Sequence, residues 1–331
     1  MFRACIRATG MYVPPKVVTN DDLAALFDTS DEWIVQRSGI RTRHYAVDGV
    51  GSADLGYEAS MMALERAGLK ASDLDLIIFA TLSPDVTFPG SSCLLQARLG
   101  IPGVPTLDIR NQCTGFIYGL TMAEQFIATG KFQHILLVGA EVHSSGLDFS
   151  DAGRDVTVLF GDGAGAVIVG RAEKEGQGVL ASSLHADGRE WESLCLIAPQ
   201  SRRNPRLTQE MIDQRMLYPK MNGKHVFKYA VEHLPETIGE VLKETGLTVE
   251  DIDLLIPHQA NLRINEAVAK KLGLAPEKCY HNIQRYGNTT AASIPMALHE
   301  ALEEGRIQPG NVVVLAGLGA GFTWGAVLMR W

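Results

Sequence analysis

The sequence predicts an α/β protein built from two similar halves, residues 1–175 and 176–331. The composition supports this class, because 331 residues with 46% hydrophobic side chains, 21% charged side chains and 33 glycines are typical of a globular, glycine-rich α/β protein. The division comes from an internal repeat, in which GLKASDLDLII (Gly68 to Ile78) and GLTVEDIDLLI (Gly246 to Ile256) share six of eleven residues. Internal similarity of this kind indicates a duplicated architecture.

Each copy of the repeat belongs to the same succession of helices and strands. The motif follows a helical segment, its glycine stands where a C-cap is expected, and it then becomes a Leu/Ile-rich strand. Later apolar segments predict strands buried on both faces. The matching segments are LGYEASMMALERAG (55–68) and LPETIGEVLKETG (234–246) for the helix before the motif, LLQARLG (94–100) and AVAKKLG (267–273) for a helix end, HILLVGA (134–140) and NVVVLAG (311–317) for one strand, and GAVIV (165–169) and GAVLM (325–329) for another. We expect the halves to pack about a pseudo-twofold axis.

The halves differ in their loops, where function is usually placed on a symmetric scaffold. The first half inserts EVHSSGLDFSDAGRDVTVLFGD between its last two strands, and the second contains an irregular polar segment at Ile197 to Gly223. The glycine runs GDGAGA (Gly161 to Ala166) and GLGAG (Gly317 to Gly321) are followed by strand-like sequence. A dinucleotide-binding loop requires a strand, a glycine turn and then a helix. We therefore interpret the runs as tight turns with close backbone packing.

Charge, hydropathy and cysteine spacing argue against several classes of protein. The formal net charge of −8 disfavours a general nucleic-acid binder. No apolar run approaches the roughly 18 residues of a membrane span, and the N-terminus lacks the apolar core of a signal peptide, so we expect a cytoplasmic protein that does not enter a membrane. The five cysteines are scattered without a CxxC spacing, which predicts neither disulfides nor a metal site.

Cys113 stands where the polar stretch IRNQCTGF gives way to the apolar run IYGLTMAEQFIATG. The run predicts a helix that is apolar on almost every side and therefore buried. Unpaired N–H groups at the start of such a helix favour a thiolate over a thiol of pKa about 8.5, and they can hold an oxyanion once the sulfur attacks a carbonyl. The stretch predicts a nucleophile suited to acyl transfer.

The repeat suggests two partners for this cysteine. Local alignment of TLDIRNQCTGF with HNIQRYGNTTA puts Asn288 close to the counterpart of Cys113. His258 of PHQAN follows the strand of the repeat motif, where the first half has Ala80. Each residue alone is more often structural, as a small buried hydrophobe, a hydrogen-bonded imidazole or a turn asparagine. If equivalent strand ends meet at the centre, Cys113, His258 and Asn288 converge and suit acyl transfer.

At these residues the chain resembles the thiolase superfamily of condensing enzymes, and most closely the β-ketoacyl-acyl carrier protein synthase III family. The resemblance covers the whole chain through DEWIVQRSGIRTRH, NQCTGF, VLFGDGAGA, PHQANLR, RYGNTTAASIP and GAGFTWG. It implies a five-layered αβαβα fold from two like halves, which acts as a homodimer without a permanently bound cofactor. It also implies that Cys113 takes an acyl group from an acyl-CoA primer, and that His258 and Asn288 hold the enolate formed when malonyl-acyl carrier protein loses CO2. The product, a β-ketoacyl-acyl carrier protein, initiates fatty acid synthesis.

Further roles follow from the resemblance alone. The backbone N–H groups of Cys113 and Ala320 would form an oxyanion hole, with Ala320 standing where glycine is usual. CoA would bind at Trp33, Arg37, Arg154, Gly223 and Phe227, with adenine between the Trp33 ring and the Arg154 guanidinium. The acyl pocket would include Phe88, which reaches across the dimer, and Phe160. The acidic carrier protein would dock on the basic residues Lys228, Arg263, Lys270 and Lys271.

The sequence leaves alternative activities open. Relatives with the same three residues start polyketides or quinolone-like products, join two acyl chains, or move an acyl group. An inactive partner subunit would lack the cysteine, and the chain lacks the local signature of a papain-like hydrolase. The stretch from about Arg202 to Lys220 is longer than expected of the commonest acetyl-primed members. We expect it to cover the mouth or wall of the acyl tunnel and to permit a primer other than acetyl-CoA.

Overall fold

Two sheets with matching strand order form the framework of the protein, whose computed structural model describes residues 2–331. The first sheet contains, in spatial order, β1 (Ala4–Tyr12), β7 (Gly163–Arg171), β6 (Ile135–Glu141), β4 (Leu76–Ala80) and β5 (Thr106–Ile109). The second contains β8 (Gly178–Ala186), β13 (Thr323–Arg330), β12 (Val312–Gly319) and β11 (Leu254–Pro257). In both sheets the first three strands pair antiparallel and the next pair is parallel. A bridge from Leu255 to Cys279 takes the place of β5 in the second sheet.

The repeat motif occupies the same register in both sheets. Phe79 pairs with Val138, and Pro257, 178 residues after Phe79, pairs with Ala316, 178 residues after Val138. Every residue of β4 and β11 is buried, as expected of parallel strands covered on both faces. The pseudo-symmetry predicted from the repeat is therefore present residue by residue in these strands.

Helices fill the space between the sheets and cover both outer faces. The layers are, in order, α3 (Ser52–Ala67) with α4 (Ser91–Leu99), the first sheet, α5 (Gly115–Ala128) with α11 (Ser293–Glu303), the second sheet, and α8 (Gly223–Thr245) with α9 (Leu262–Leu272). The predicted five-layered αβαβα fold is confirmed.

The helix α5 is central because its sequence is apolar on almost every side. Phe116, Ile117 and Leu120 are fully buried in a core that includes residues of both sheets. Burying each such side chain stabilises the fold by roughly 1.5–3 kcal/mol. The turn that precedes α5 is therefore held firmly at the centre of the molecule.

Two glycines of the repeat end helices as predicted. Gly68 follows α3 with a φ of 66°, and Gly246 follows α8 with a φ of 71°, which is the left-handed conformation of a C-cap. The helix α8 begins at Gly223, well before the segment that predicted it, because the side chain of Asn222 accepts the N–H of His225 at 3.2 Å.

The glycine runs lie mostly within strands, so the prediction of tight turns is wrong for Gly163 and Gly165 in β7 and for Gly317 and Gly319 in β12. The prediction of close backbone packing is confirmed, since a Cβ on Gly165 would lie 2.7 Å from the backbone nitrogen of Met296. Strand backbone passes here directly against the central helices, which only glycine allows. The second run turns at residues 320–322 and continues as β13.

Shorter elements cover one end of the sheets and form the long polar segment. Those at the end of the sheets are β2 (Lys16–Thr19), α1 (Asn20–Ala24), α2 (Asp31–Ser38), β3 (Thr42–Tyr45), α6 (Arg154–Thr157) and α10 (Ile283–Tyr286). The polar segment contains α7 (Gln209–Asp213) and β10 (Lys220–Met221), and β10 pairs with β9 (Leu194–Cys195), which precedes the segment. The fully buried Arg43 donates hydrogen bonds to the side chain of Asn20 and to the carbonyl of Val158, both at 2.8 Å. These bonds join the short elements near the N-terminus to the insertion of the first half.

Within residues 2–331 no helix is long and apolar enough to cross a membrane. The five cysteines of this part of the chain are free thiols. The same residues contain no cluster of three or more His, Cys, Asp or Glu side chains that could hold a metal ion.

Candidate active site

Cys113 lies in a 3-10 turn, Gln112–Thr114, that leads directly into α5. Gln112 has a φ of +45°, a conformation that few residues other than glycine adopt. The Cys113 side chain is 6% exposed and faces Gly319 at the end of β12, where a Cβ would lie 3.0 Å from the sulfur. Glycine at position 319 therefore allows the strand to approach the thiol.

The surroundings of Cys113 keep its thiol protonated. Burial raises the pKa of Cys113 to about 12, the carboxylate of Glu141 adds to this, and the backbone N–H groups of Cys113 and Ala320 lower it. The prediction of a thiolate is therefore wrong for the free protein, because the loss of hydration outweighs two N–H donors. The two N–H groups that act on the sulfur are nevertheless the pair expected of an oxyanion hole.

His258 follows β11 and is 4% exposed. Its backbone N–H donates to the carbonyl of Ala316 at 2.8 Å, which extends the pairing of β11 with β12. Nδ1 of the ring lies 2.6 Å from the hydroxyl of Ser293, and Nε2 has no hydrogen-bond partner within residues 2–331. Burial lowers the pKa of His258 to about 3, so the imidazole is neutral at pH 7.

The hydrogen bonds of Ser293 assign the tautomer of His258. The Ser293 oxygen accepts the backbone N–H of Gln259 at 3.3 Å. The acceptor left for its own proton is Nδ1 of His258, so the ring proton is assigned to Nε2. His258 thus presents an unpaired N–H donor.

Asn288 precedes α11 and is 5% exposed. Its backbone N–H donates to the carbonyl of Leu159 at 2.8 Å, and its carbonyl accepts the N–H of Gly161 at 3.1 Å. The side-chain Oδ1 accepts the backbone N–H of Thr290 at 2.9 Å. With Oδ1 engaged, the Nδ2 end of the amide is a second directed donor.

The three residues meet where β11 and β12 end. A Cβ on Gly317 would lie 3.4 Å from the Cβ of His258 and 3.6 Å from the carbonyl oxygen of Cys113. The 3-10 turn after Asn288, Thr290–Ala292, packs on the Cys113 turn, since a Cβ on Gly115 would lie 3.5 Å from the Cβ of Ala291. These contacts bring the chain segments that contain Cys113, His258 and Asn288 to the same strand ends.

The alignment that led to Asn288 was displaced by three residues. The 3-10 turns at Gln112–Thr114 and Thr290–Ala292 each precede a central helix, and Thr290 has a φ of +48° where Gln112 has +45°. The counterpart of Cys113 is therefore Ala291. The shared feature is backbone conformation rather than residue identity, which a local alignment of side chains does not detect.

Glu141, the last residue of β6, is a buried carboxyl group that the sequence analysis did not single out. It is fully buried and accepts hydrogen bonds from the hydroxyls of Thr81 and Ser83 and from the N–H of Leu82. Burial raises the pKa of Glu141 to about 7. The sequence could have indicated both this residue and its neighbours, because EVH directly follows an apolar strand. Polar residues in that position lie at the carboxyl end of the sheet, where sites form.

His143 is a second buried residue that was missed. Its Nε2 lies 2.6 Å from the hydroxyl of Thr290, and its ring lies 4.7 Å from that of Phe160. Burial and the neighbouring His258 lower the pKa of His143 to about 3. Phe160 in turn forms a backbone bridge with Asn288, which places this aromatic residue at the site.

Trp33 and Arg154, which are expected to hold the adenine of CoA, lie together with Arg37, which is expected elsewhere along the CoA path. The guanidinium carbons of Arg37 and Arg154 lie 4.2 Å and 5.0 Å from the centre of the Trp33 ring. For adenine to stack between them, the Trp33 ring and the Arg154 guanidinium must lie about 7 Å apart, which is two stacking distances. Arg154, which also donates to the carbonyl of Asp28 at 2.9 Å, must therefore move when such a ligand binds.

The other residues expected along the CoA and acyl paths are spread over two elements. Gly223 and Phe227 lie in the first turns of α8, where Gly223 is exposed and Phe227 half-buried. Phe88 lies in the loop after β4 and is 82% exposed. It is therefore directed away from the interior of its own chain.

The basic residues expected to receive the carrier protein are all exposed, with Lys228 on α8 and Arg263, Lys270 and Lys271 on α9. Lys271 differs from the others because its Nζ donates to the carbonyl of Val231 at 3.2 Å. Pro235 lacks the N–H that would bond this carbonyl inside α8. Lys271 thus satisfies a carbonyl that the proline leaves free.

The polar segment between β9 and α8 is folded against the insertion of the first half. Ala198 and Met211 of this segment are buried. Nε of Arg215 lies 2.9 Å from the carboxylate of Asp148, whose residue is 7% exposed. A cavity of about 320 Å³ lies between the segment and the insertion, where Asp148, Gly153 and Thr157 line it.

Comparison with known proteins identifies the family. The model described as 3-oxoacyl-[acyl-carrier-protein (ACP)] synthase III matches residues 107–188, and the model of its C-terminal part matches residues 242–331. A β-ketoacyl-[acyl-carrier-protein] synthase III from Caldanaerobacter subterraneus subsp. tengcongensis is 46% identical over 328 residues, which cover 99% of this chain and 98% of the relative.

Solved structures agree over the same length. The 3-oxoacyl-[acyl-carrier-protein] synthase III from Aquifex aeolicus has a TM-score of 0.91 and 43% identity, covering 99% of this chain and 100% of that chain. The priming β-ketosynthase of the R1128 polyketide pathway has a TM-score of 0.90 and 29% identity, covering 99% and 96%. The chain therefore belongs to the β-ketoacyl-acyl carrier protein synthase III family, also called the 3-oxoacyl-acyl carrier protein synthase III family.

Proposed function

We propose that Cys113, His258 and Asn288 catalyse the condensation of an acyl-CoA primer with malonyl-acyl carrier protein. As a member of its family the chain is a condensing acyltransferase that initiates fatty acid synthesis. The observation that supports these roles is the set of donors around one buried thiol. Two backbone N–H groups act on the sulfur, His258 has an unpaired Nε2, and the Oδ1 of Asn288 is already bonded, which leaves its Nδ2 group as a donor. Such preorganised donors stabilise developing negative charge on oxygen.

In the first step the sulfur of Cys113 bonds to the thioester carbon of acyl-CoA. The carbonyl oxygen becomes an oxyanion held by the N–H groups of Cys113 and Ala320. When the oxyanion collapses, the bond from carbon to the CoA sulfur breaks, and CoA leaves with the thiol proton. Because burial raises the pKa of Cys113 to about 12, the proton leaves as the new bond forms rather than beforehand.

In the second step malonyl-carrier protein loses CO2, and the electron pair of the broken bond forms an enolate. Nε2–H of His258 and the amide of Asn288 donate to the enolate oxygen. The enolate carbon attacks the acyl carbon on Cys113, whose sulfur leaves and takes up a proton. The step needs donors rather than a strong base, which agrees with a neutral His258 whose pKa burial lowers to about 3.

The substrate sites follow from the same reaction. Acyl-CoA, as a substrate and not a resident cofactor, binds along Trp33, Arg37, Arg154, Gly223 and Phe227. The acidic carrier protein docks on Lys228, Arg263 and Lys270, with Lys271 mainly supporting α8. The exposure of these basic side chains supports the docking surface.

The proposed assembly is a homodimer in the cytoplasm. Residues 1–175 and 176–331 act as two domains, of which the first supplies Cys113 and the second His258 and Asn288. Phe88 reaches the acyl pocket of the partner subunit, next to Phe160. Its 82% exposure supports this role, because a large aromatic side chain is favourably covered by a partner.

Intact-mass analysis tests the proposed roles. The protein is incubated with a panel of acyl-CoAs and then with malonyl-acyl carrier protein. We expect one acyl group on Cys113, which disappears as a β-ketoacyl product forms. His258→Ala and Asn288→Ala should still be acylated but should not release CO2, and Cys113→Ala should not be labelled. Labelling that persists in Cys113→Ala, or normal condensation by the His258 and Asn288 variants, would contradict the assignment.

A further inference from the structure

A buried hydrogen bond joins the two halves of the protein beside Asn288. Nε2 of His143, 8% exposed, lies 2.6 Å from the hydroxyl of Thr290, which is fully buried. His143 follows the end of β6, and Thr290 begins the 3-10 turn before α11. Neither residue belongs to the three proposed catalytic residues.

The conformation of Thr290 determines the direction of the Asn288 side chain. Thr290 has a φ of +48°, which is strained for a β-branched residue and persists only where surrounding contacts hold it. In this conformation its backbone N–H donates to Oδ1 of Asn288 at 2.9 Å. If Thr290 relaxed, Asn288 would lose the bond that turns its Nδ2 group into the site.

We propose that His143 is a positioning residue for the decarboxylation step, because it holds Thr290 in the conformation that orients the Asn288 amide. This inference rests on the proposed role of Asn288. The imidazole itself packs against Phe160, whose ring lies 4.7 Å away. His143 therefore acts on Asn288 through Thr290. The imidazole holds the Thr290 hydroxyl, and the Thr290 N–H holds the Asn288 amide.

The charge of His143 is compatible with this role. Burial and the proximity of His258 lower the pKa of His143 to about 3, so neither imidazole is charged at pH 7. A cation at position 143 would compete for the enolate that His258 and Asn288 share. A neutral ring orients Thr290 without adding such a charge.

The test separates the two half-reactions in the full-length protein. Acylation of Cys113 uses the N–H groups of Cys113 and Ala320, whereas CO2 release from malonyl-carrier protein also uses Asn288. We expect His143→Leu to slow CO2 release about ten-fold or more and to change acylation less than about two-fold. Thr290→Val, which lacks the hydroxyl, should have the same effect, and the double variant should be no slower than either single variant.

Two further variants make the test specific. His143→Gln, whose side-chain amide reaches toward the position of Nε2, should recover most of the loss. His299→Leu is the matched control, because it removes another buried imidazole that lies 2.9 Å from a hydroxyl, that of Thr9. This control should leave the ratio of the two rates unchanged.

The outcomes distinguish the inference from the proposed function. Unchanged CO2 release in Thr290→Val, or equal losses in both half-reactions, would overturn the role of His143. If His143→Leu does not fold, Thr290→Val and His143→Gln decide the question. If the wild-type protein is acylated but releases no CO2, the proposed function fails instead, whatever the variants do.

Discussion

The hydroxyl of Ser293 lies 2.6 Å from Nδ1 of His258, on the side of the ring opposite the unpaired Nε2. Ser293→Ala removes the donor to Nδ1, so the ring proton can shift from Nε2 to Nδ1. Only the Nε2–H tautomer donates to an enolate. We expect CO2 release from malonyl-carrier protein to slow about ten-fold, which is the effect of one lost hydrogen bond, while the acylation rate stays the same. Single-turnover measurements of both half-reactions check this.

Ser60→Ala is the matched control for Ser293→Ala. Ser60 is a fully buried serine of α3 whose hydroxyl donates to the carbonyl of Gly56 at 2.6 Å. Its loss should leave both half-reactions unchanged. A fall in the acylation rate of Ser293→Ala as large as the fall in CO2 release would show that Ser293 acts on the whole site rather than on the tautomer.

Gly319→Ala should damage the cysteine site directly. The new Cβ would lie 2.5 Å from the Cβ of Cys113 and 3.0 Å from its sulfur. Either β12 or the turn that contains Cys113 must therefore shift. We expect the free energy of unfolding in urea to fall by about 1–3 kcal/mol, and acylation of Cys113 to be lost because the N–H groups no longer surround the sulfur. Gly239→Ala in α8, where a Cβ would meet nothing within 4 Å, should instead be neutral or stabilising by up to about 1 kcal/mol. Equal stability of the two variants would contradict the close approach of β12 to the thiol.

The pH dependence of Cys113 alkylation tests the raised pKa. The thiolate is the reactive form, and burial raises the pKa of Cys113 to about 12, so the thiolate remains a minority below that pH. The alkylation rate with iodoacetamide should therefore rise about ten-fold for each pH unit between about pH 7 and 10, without a plateau. Intact-mass kinetics in a Cys93→Ser, Cys195→Ser background follow the reaction without the two accessible thiols. A plateau in the alkylation rate near pH 7 would show that Cys113 is a thiolate at neutral pH, as the sequence predicts.

The sequence predicted the features that repeat or that depend on one element. The internal repeat predicted the two similar halves, the apolar run predicted the buried helix α5 behind Cys113, and the end of a buried strand predicted the place of His258. These predictions succeeded because hydrophobic periodicity and strand ends are local properties.

The remaining features of the site depend on contacts between residues far apart along the chain and on local backbone conformation. His143 and Ser293 act through hydrogen bonds to residues 147 and 35 positions away along the chain. The thiol of Cys113 stays protonated because both sheets bury it, and this burial cannot be predicted from the motif NQCTGF. Asn288 was found through an alignment displaced by three residues, and its role comes from the backbone of Thr290 rather than from symmetry.

Neighbouring lysines on α9 should respond differently to substitution. Lys270 is exposed, and its replacement by Ala should raise the KM for malonyl-carrier protein about three- to ten-fold, with a smaller effect at high salt. Lys271 donates to the carbonyl of Val231, so Lys271→Ala should lower the free energy of unfolding by about 1 kcal/mol and change the KM less. Steady-state kinetics and urea unfolding of both variants check the difference. The reverse pattern would mean that Lys271 is the docking residue.

The polar segment should influence which acyl-CoA primer is used. Arg215 binds the buried carboxylate of Asp148, and this contact holds the segment against the insertion of the first half, which also contains Arg154. Arg215→Met should loosen the segment and change the relative acylation rates of short and long acyl-CoAs by about ten-fold, while CO2 release by preloaded enzyme stays the same. Arg66→Met, which removes an ion pair with Glu303 on another face, should leave the preference unchanged.

A deletion gives the same prediction a second test. The N–H of Ala198 donates to the carbonyl of Met216 at 3.0 Å, so the two ends of the intervening segment are adjacent and a short glycine linker can replace residues 199–215. If the segment borders the acyl tunnel, its removal must alter which acyl-CoAs label Cys113 most rapidly. An unchanged order of acyl-CoAs in both the deletion and Arg215→Met would show that the segment does not determine primer choice. The wall of the tunnel would then have to be sought among residues nearer Phe160, which lies directly beside Asn288.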